Sequence, residues 1–300
     1  MKLINTSTHR IEDLGGSQPP EPYAILSHTW CADHEEVTYQ EMLLEDHMNL
    51  RNRPGYRKIE EACRRAREAP YHLKYAWIDT VCIDKTSSAE LSEAINSMFR
   101  YYREAAVCFA LLSGWTHDSG LAAFQKCKWF QRGWCLQELI APLPRSLEFF
   151  DEAWVRLGTK HDLAEDIERA TKINTGVLTG QIMLDKVPVA VRMSWASSRQ
   201  TRRVEDRAYS LLGIMGINMS MLYGEGSDAF LRLQAEIIRQ STDMSIFAWT
   251  TSGTQKYMGL LAPCPEVFEH SQALVSQPHA LLPAQEYSIT NRGIKFEMTL

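Results

Sequence analysis

Four short apolar runs, separated by segments with helical periodicity, constrain the fold of this chain more than any other feature. They are Tyr23–His28, Tyr75–Val81, Val107–Leu112 and Leu147–Phe150. Each run has the length of a buried strand, and parallel neighbouring strands need crossover connections of the kind that lies between these runs. We therefore predict a doubly wound parallel α/β sheet over residues 1–154.

Two segments between these runs predict amphipathic helices, because their apolar residues recur at helical spacing. Pro70 ends the first segment, and Ser87 with Glu90 has the spacing of a capping box before the second. The apolar stripes are Ile59, Ala62, Cys63 and Ala66 in the first, and Leu91, Ala94, Ile95, Met98 and Tyr102 in the second.

The pattern changes after Trp154, and residues 155–250 form a mainly helical extension in our prediction. Residues 251–300 would begin a C-terminal region, and we expect the sequence to be truncated there. Turn residues 291–293 split the last predicted strand segment into a hairpin. The predicted helices are Leu163–Ala170, Val189–Ser197, Arg203–Ile214 and Ala229–Gln240, and the predicted strands are Ser245–Thr250 and Tyr287–Phe296.

Charge and hydropathy exclude several classes of protein. The formal net charge is -5, from 32 Lys and Arg against 37 Asp and Glu, and nucleic-acid-binding surfaces need clustered cations instead. The nearest basic cluster, Arg199–Arg207, is interrupted by Glu205 and Asp206. No apolar stretch approaches the roughly 20 residues that span a bilayer, and Met1–Arg10 lacks the apolar core of a signal peptide. We expect a cytoplasmic protein that binds no nucleic acid.

The cysteines and short motifs exclude common chemistries. Seven cysteines contain no CxxC pair and mostly lie in apolar runs, which predicts reduced, buried thiols. The nine histidines show no zinc-binding spacing, so we expect no metal. The chain also lacks GxSxG, P-loop and GxGxxG motifs.

Polar and aromatic residues follow the predicted strands at their carboxyl ends. Ligands of doubly wound sheets bind outside these ends, so the residues there predict a hydrogen-bonding crevice with a stacking ring. The alternative is that they cap turns and helices. The candidates are Ser27, His28, Trp30, Asp79 and Ser113.

Glu138 is the strongest catalytic candidate, because it is a lone carboxylate within the apolar segment WCLQELIA. On a helix, Trp134 lies one turn before it on the same face. The indole would then stack on a nicotinamide or adenine ring while Glu138 binds ribose or developing positive charge. The alternative is a structural glutamate paired with Arg132 or another cation. Cys135 is interpreted as a structural thiol.

Six long motifs extend over most of residues 23–249. They are YAILSHTW (23–30), YAWIDTVCIDK (75–85), AELSEAINSMFRYYREAAVCFALLS (89–113), RGWCLQELIAP (132–142), RMSWASSRQTRRVEDRAYSLLGIMGINMSMLYGEG (192–226) and FLRLQAEIIRQSTDMSIFAW (230–249). Together they resemble the fungal heterokaryon-incompatibility (HET) domain family. This resemblance implies an intracellular fungal protein of non-self recognition and programmed cell death, with an unidentified non-self-sensing protein partner.

The order of these blocks is also similar to that of Toll/interleukin-receptor (TIR) domains, which implies a TIR-like, flavodoxin-like sheet. In TIR domains a similar W-C-x-x-E-L segment carries a glutamate that cleaves the N-glycosidic bond of NAD, and the matching residue is Glu138. NAD would then be a substrate rather than a cofactor. The nucleotide-binding candidates, the first five of them implied by this resemblance, are Ser27, His28, Trp30, Asp79, Ser113 and Trp134.

Three functional hypotheses remain open at this point. In the first, the domain is an NAD glycohydrolase (NAD+ nucleosidase) with Glu138 as its catalytic residue, and the cell dies because its NAD is depleted. In the second, it is a non-catalytic scaffold that signals by self-association, through faces of the α/β half or an Arg199–Arg207 helix. In the third, it binds a nucleotide without turnover. We expect a homo-oligomer.

Overall fold

The computed structural model describes residues 1–16, 21–44, 47–251, 259–274, 287–290 and 293–296. Its strands are β1 (Lys2–Asn5), β2 (Ile11–Asp13), β3 (Tyr23–His28), β4 (Tyr75–Ile78), β5 (Val107–Leu112), β6 (Leu147–Asp151), β7 (Arg156–Thr159), β8 (Tyr287–Thr290) and β9 (Gly293–Phe296). Its α-helices are α1 (Tyr39–Met42), α2 (Pro54–Arg67), α3 (Ser88–Glu104), α4 (Gly120–Gln125), α5 (Lys128–Gln131), α6 (Cys135–Ile140), α7 (Ala164–Thr171), α8 (Thr175–Leu178), α9 (Val189–Ser194), α10 (Asp206–Tyr209), α11 (Leu212–Met215) and α12 (Asp228–Gln240). Short 3-10 helices span His117–Ser119, Leu184–Lys186, Met244–Phe247 and Pro265–Ala273.

Among the described residues, strands β1 to β7 form one mixed sheet in the order β2-β1-β4-β3-β5-β6-β7. The four predicted strands are its parallel centre, which confirms the α/β class. Strands β1, β2 and β7 pair antiparallel at the edges, so the prediction of a parallel sheet was wrong there. Edge strands are short and need only one buried face. The sequences IED in β2 and RLGT in β7 therefore form no apolar run.

The connections place a topological switch point at the carboxyl end of β3. Helix α2 leads from β3 to its neighbour β4, and α3 then carries the chain back past β3 to β5 on the other side. Because parallel crossovers are right-handed, α2 and α3 lie on opposite faces of the sheet. In β3 and β5, His28 pairs with Leu111, so the two strands end at nearly the same level. Ligands of doubly wound sheets bind beyond this end of the strands.

Both predicted amphipathic helices form, as α2 and α3. Pro54 begins α2, where its fixed φ suits the first helical position. The Ser87 hydroxyl accepts a hydrogen bond from the Glu90 amide at the start of α3, at 3.3 Å. The Glu90 carboxylate instead accepts from the Asp84 amide at 2.9 Å. Only half of the predicted capping box is therefore present, and Glu90 holds the loop after β4.

The mainly helical extension is present, with one predicted helix broken. The segment Arg203–Ile214 contains α10 and α11, because the Leu211 amide bonds to the Ala208 carbonyl at 2.9 Å, three residues back, and tightens the turn. Gly213 then lies against α3, where an added Cβ would stand 2.1 Å from Cβ of Phe99. The break allows this close approach, which packs the extension on the α/β half.

Near the end of the chain, the strand predicted at Ser245–Thr250 is wrong and the predicted hairpin is confirmed. Ser245–Thr250 contains a 3-10 turn, because the Asp243 carboxylate accepts from the Ser245 amide at 2.9 Å and from the Val189 amide at 2.7 Å. Strands β8 and β9 pair antiparallel as a hairpin. Of the predicted turn residues, 291 and 292 lie outside the described residues. Strand β7 extends the sheet beyond residue 154 to Thr159.

Candidate functional site

An inner cluster of four buried side chains includes Glu138, whose carboxylate lies in the first turn of α6 and which is only 4% exposed. The Ser27 hydroxyl, at the end of β3, donates to Oε2 of Glu138. The Trp129 indole donates to Oγ of Ser27 at 2.8 Å, so the indole directs the hydroxyl proton toward the carboxylate. We call Ser27, Trp129, Cys135 and Glu138 the inner cluster.

Burial raises the pKa of Glu138 from its ordinary value of 4.5 to about 7. The hydrogen bond from Ser27 lowers that pKa in part, the charge of Asp79 raises it further, and the charge of Arg132 lowers it. Within the part of the chain that is described, Glu138 forms no ion pair within 4 Å. The predicted alternative of a direct pair with Arg132 is therefore not what the structure contains. A proton can be gained or lost at Glu138 near neutral pH.

Cys135 lies beside Glu138, and burial raises the pKa of its thiol well above the ordinary value. The thiol is therefore protonated at neutral pH, as the interpretation of a structural cysteine requires. Five of the seven cysteines are buried and none forms a disulfide. Among the described residues, no group of three His, Cys, Asp or Glu side chains could hold a metal ion.

Arg199 is a buried cation that the sequence had assigned to a basic surface helix, and that assignment was wrong. Helix α10 begins only at Asp206, and the Arg199 guanidinium donates to the carbonyls of Arg132 and Trp195 at 3.0 and 3.2 Å. Burial lowers the pKa of Arg199 to about 10, while the charge of Glu138 opposes that shift. Arg199 therefore adds positive potential to the inner cluster.

An outer cluster lies around Trp30, three residues beyond Ser27. The Trp30 indole donates to Oδ2 of Asp79 at 2.9 Å. Three cations face its ring, at 3.9 Å for Nζ of Lys85, 4.9 Å for Cζ of Arg132 and 5.9 Å for Cζ of Arg202, measured to the ring centroid. We call Trp30, Asp79, Lys85, Arg132 and Arg202 the outer cluster.

The electrostatics of Asp79 contrast with those of Glu138. Burial by itself would raise the pKa of Asp79, but the charges of Lys85 and Arg132 and the hydrogen bond from the Trp30 indole hold it below its ordinary value. His28 is buried, and burial lowers its pKa to about 4, so the imidazole is neutral at pH 7. Its Nδ1 lies 3.9 Å from Oδ1 of Asp79 and has no hydrogen-bond partner in the described structure.

A buried ion pair holds the loop that carries Trp30. The Lys58 ammonium lies 3.0 Å from the Glu36 carboxylate and donates to the Thr29 carbonyl at 2.9 Å. The same carboxylate accepts from the Cys31 amide at 2.6 Å. The backbone is thus held on both sides of Trp30, which keeps the indole facing the cations.

A second buried lysine holds the carboxyl end of α6. The Lys160 ammonium donates to the carbonyls of Leu139 and Pro142 at 2.9 and 2.6 Å. Burial lowers its pKa to about 7. These bonds satisfy carbonyls that a helix end leaves unpaired, and they hold the short helix that carries Glu138.

The structure brings together most of the predicted site residues, but not Trp134 and Ser113. The Trp134 side chain lies beside Asp206 and lowers the pKa of that carboxyl, and no hydrogen bond joins it to Glu138 in the described structure. Ser113 follows β5, and in the described structure it bonds to neither Ser27 nor Glu138. A cavity of about 330 Å³ lies further along this edge of the sheet, beside Trp115, His117, Phe124 and Asp166.

Comparison with known proteins places the chain in a family. The sequence profile described as "Heterokaryon incompatibility protein (HET)" matches residues 23–128. A curated relative, the "Vegetative incompatibility protein HET-E-1" of Podospora anserina, is 45% identical over 239 residues, which are 75% of this chain. The chain is a HET-domain protein. The family named from the sequence motifs is confirmed.

The two comparisons cover the HET domain unequally. The profile includes Ser27, Trp30 and Asp79 but ends before Glu138. The chain spans 17% of the length of the Podospora anserina relative. No solved structure matches the chain significantly. None of its described helices is both long enough and apolar enough to cross a bilayer.

Sequence reasoning missed several residues of the HET-domain site. Trp129 lies in an apolar pair with Phe130 and shows no pattern that separates it from core residues. Lys160 follows an edge strand that the sequence did not predict. Lys85 and Arg132 are within the family motifs but were not among the predicted binding residues. Their roles depend on contacts across the fold.

Proposed function

We propose that this HET domain acts in fungal heterokaryon incompatibility as a cell-death effector that cleaves the nicotinamide N-glycosidic bond of NAD. The observation that carries the proposal is the buried Glu138 carboxylate, oriented by Ser27, with a pKa of about 7. The similarity to the vegetative incompatibility protein of Podospora anserina supports the incompatibility role. The resemblance of the WCLQEL segment to TIR domains supports the reaction.

The sheet is consistent with a TIR-like fold. The parallel strands run β4-β3-β5-β6, which is the order of the first four strands in a flavodoxin-like sheet. Ser27 lies near the carboxyl end of β3, at the switch point, and Glu138 follows β5, the neighbour of β3 in the sheet. This arrangement supports the proposal, because nucleotides bind beyond the carboxyl ends of the strands in such sheets.

The proposed reaction is a hydrolysis. The bond between C1′ of the nicotinamide ribose and the pyridinium nitrogen breaks, and its electron pair leaves with neutral nicotinamide. The Glu138 carboxylate stabilises the positive charge that develops on the ribose. Water adds to C1′ and releases a proton, which leaves ADP-ribose. Loss of cellular NAD then kills the cell.

Access to Glu138 requires a change from the conformation described above, because its carboxylate is buried. Segment 199–202 lies against the start of α6: the Gly133 amide donates to the Gln200 carbonyl at 2.8 Å, and Arg202 pairs with Asp33 at 2.7 Å. This segment connects α6 to the loop after β3. We expect self-association to move it and to open the cleft.

The test is incubation of the purified protein with NAD at high protein concentration, with free nicotinamide measured by chromatography. We expect release by the wild type and not by Glu138→Gln, which keeps an acceptor for the Ser27 hydroxyl. Circular dichroism and sedimentation velocity must show the same fold and assembly for both. Equal release by the variant, or none by the assembled wild type, would contradict the proposal.

A non-catalytic scaffold is the second candidate, and the complete burial of the inner cluster favours it. The Ser27 hydroxyl already donates to the Glu138 carboxylate, and the Cys135 thiol lies beside it, as expected for a structural residue. In this case fungal cell death would persist in Glu138→Gln, provided that the variant still assembles. Loss of cell death with assembly intact would exclude the scaffold.

A further inference from the structure

Three cations from three separate elements converge on the Trp30 indole. Lys85 comes from the loop after β4, Arg132 from the residue after α5, and Arg202 from the segment before α10. Their charged atoms lie 3.9 to 5.9 Å from the ring centroid. Cation–π contact orients such groups without neutralising them, so the indole holds three positive charges in one place.

Few carboxylates oppose these charges. In the described part of the chain, Lys85 and Arg132 form no ion pair within 4 Å, and Arg202 pairs with Asp33, which is 83% exposed. Glu36 is occupied by Lys58. Asp79 is the carboxylate that contacts the indole. The cluster's own three cations and one carboxylate have a net charge of about +2 at neutral pH, and the exposed Asp33 reduces the local excess to about +1.

An independent observation also indicates a ligand beside Trp30. The His28 side chain is 2% exposed, and its Nδ1 has no hydrogen-bond partner in the described structure. Buried polar atoms without partners are rare in native proteins. This nitrogen faces Asp79, which also binds the Trp30 indole. An unsatisfied polar atom therefore adjoins the outer cluster.

We propose that the outer cluster binds the diphosphate of a dinucleotide, with Lys85, Arg132 and Arg202 contacting its oxygens. This inference rests on the proposed function, and it assigns the phosphate subsite of the same cleft. A diphosphate carries two negative charges, which the positive excess at Trp30 attracts, and its binding would compete with Asp33 for Arg202. One guanidinium group can donate two parallel hydrogen bonds to a pair of phosphate oxygens. Ser27 and Trp30 are three residues apart, within about 10 Å, so one dinucleotide can reach both clusters.

The subsite should affect binding rather than the bond-breaking step. The diphosphate carries the same charge before and during cleavage, so contacts to it stabilise the ground state and the transition state equally. Their loss raises KM and leaves kcat unchanged. Glu138 has the opposite signature, because it acts on charge that develops only during the reaction.

The experiment measures binding of ADP-ribose, a probe that carries the diphosphate but no scissile nicotinamide bond, to the full chain by calorimetry. We expect about 10-fold weaker binding in each of Lys85→Gln and Arg132→Gln, and little loss in Glu138→Gln. Arg169→Gln and Lys186→Gln remove the same charge from exposed residues of the helical extension and serve as controls. Adenosine, which lacks phosphate, should bind weakly and equally to all variants.

Unchanged ADP-ribose binding in the folded Lys85→Gln and Arg132→Gln variants would overturn the subsite. So would adenosine binding as tight as that of ADP-ribose. If Arg132→Gln unfolds, Lys85→Gln with Arg202→Gln makes the same test. Cation-dependent ADP-ribose binding without nicotinamide release would retain the subsite and reject cleavage. Nicotinamide release with an unchanged KM in the cation variants would retain cleavage and reject the subsite.

Discussion

The inner and outer clusters both lie at the carboxyl end of β3, but the pKa of a carboxyl group is shifted in opposite directions in the two clusters. Glu138 is buried beside a hydroxyl and a thiol, and burial raises its pKa to about 7. Asp79, directly after β4, lies among cations, which hold its pKa below the ordinary value. The inner cluster is suited to exchange a proton at neutral pH, and the outer cluster to keep fixed charges.

This difference indicates that burial determines the properties of the inner cluster, whereas charge determines those of the outer cluster. A carboxylate without a close cation keeps its proton easily, so its hydrogen bonds decide its orientation. Cations on a half-buried indole remain charged and attract anions from solution. The division predicts that variants of the two clusters will differ in kind as well as in size.

The largest effect is expected in catalysis. Glu138→Gln should lower the rate of nicotinamide release at saturating NAD at least about 100-fold, because it removes the charge that stabilises the ribosyl cation. Lys85→Gln should instead raise KM about 10-fold with kcat retained. Steady-state kinetics of both variants would separate the clusters. A fall in kcat for Lys85→Gln as large as that for Glu138→Gln would remove the distinction.

The second effect is a pH dependence of stability. Between pH 4.5 and about 7, the folded state holds a proton on Glu138 that the unfolded state loses, so the free energy of unfolding falls as the pH rises. Glu138→Gln has no such proton. The variant should gain about 2 to 4 kcal/mol relative to wild type between pH 4.5 and 8. Urea denaturation at both pH values measures this change.

A constant difference between the two proteins across this pH range would show that Glu138 titrates normally. Activity supplies an independent check. The carboxylate is the reactive form, so nicotinamide release should rise through a pKa of about 7 and fall at lower pH. At the outer cluster the sign is reversed: stabilisation from Asp79 is present above its unfolded pKa and is lost as the pH falls through the folded value.

The third effect concerns the indoles of the two clusters. Trp129→Phe removes the donor to the Ser27 hydroxyl in a fully buried setting, and it should cost about 1 to 3 kcal/mol of unfolding free energy. Trp30→Phe is the matched control, because it removes an indole donor at a half-buried site where water can replace it. Thermal and urea denaturation would measure both. A larger loss for Trp30→Phe would contradict the assignment of burial.

The smallest effect is expected at the surface pair of the outer cluster. Asp33→Asn removes the partner of Arg202, and both side chains are largely exposed. Stability should change by less than about 0.5 kcal/mol. ADP-ribose should bind slightly more tightly, since the variant frees a cation. Weaker binding in this variant would indicate that Asp33 positions Arg202 for the ligand.

Much of the α/β half could be predicted from the sequence. Tyr23–His28 and Val107–Leu112 are strands with the predicted bounds, because a fully buried parallel strand needs an unbroken apolar run. The edge strands were missed, since β2 and β7 carry charged or small residues. The strand expected at Ser245–Thr250 is a turn, because the Asp243 side chain competes for the backbone amides.

The sequence by itself determined the apolar runs, the two long amphipathic helices and the isolation of Glu138 among apolar residues. Each is a local property, since an apolar run or the helical spacing of apolar residues can be recognised within a short stretch of sequence. Tertiary structure decided the partners of Glu138. Ser27 is 111 residues away from it, and Trp129 is 102 residues away from Ser27.

Only the fold also decided that Trp134 lies beside Asp206 and that Arg199 is buried. Such pairings depend on how the helical extension packs on the sheet, and no local pattern encodes the direction in which a side chain meets a distant element. The physical reason is that hydrogen bonds and desolvation act over a few ångströms in space. Chain topology, rather than sequence neighbourhood, brings those groups together.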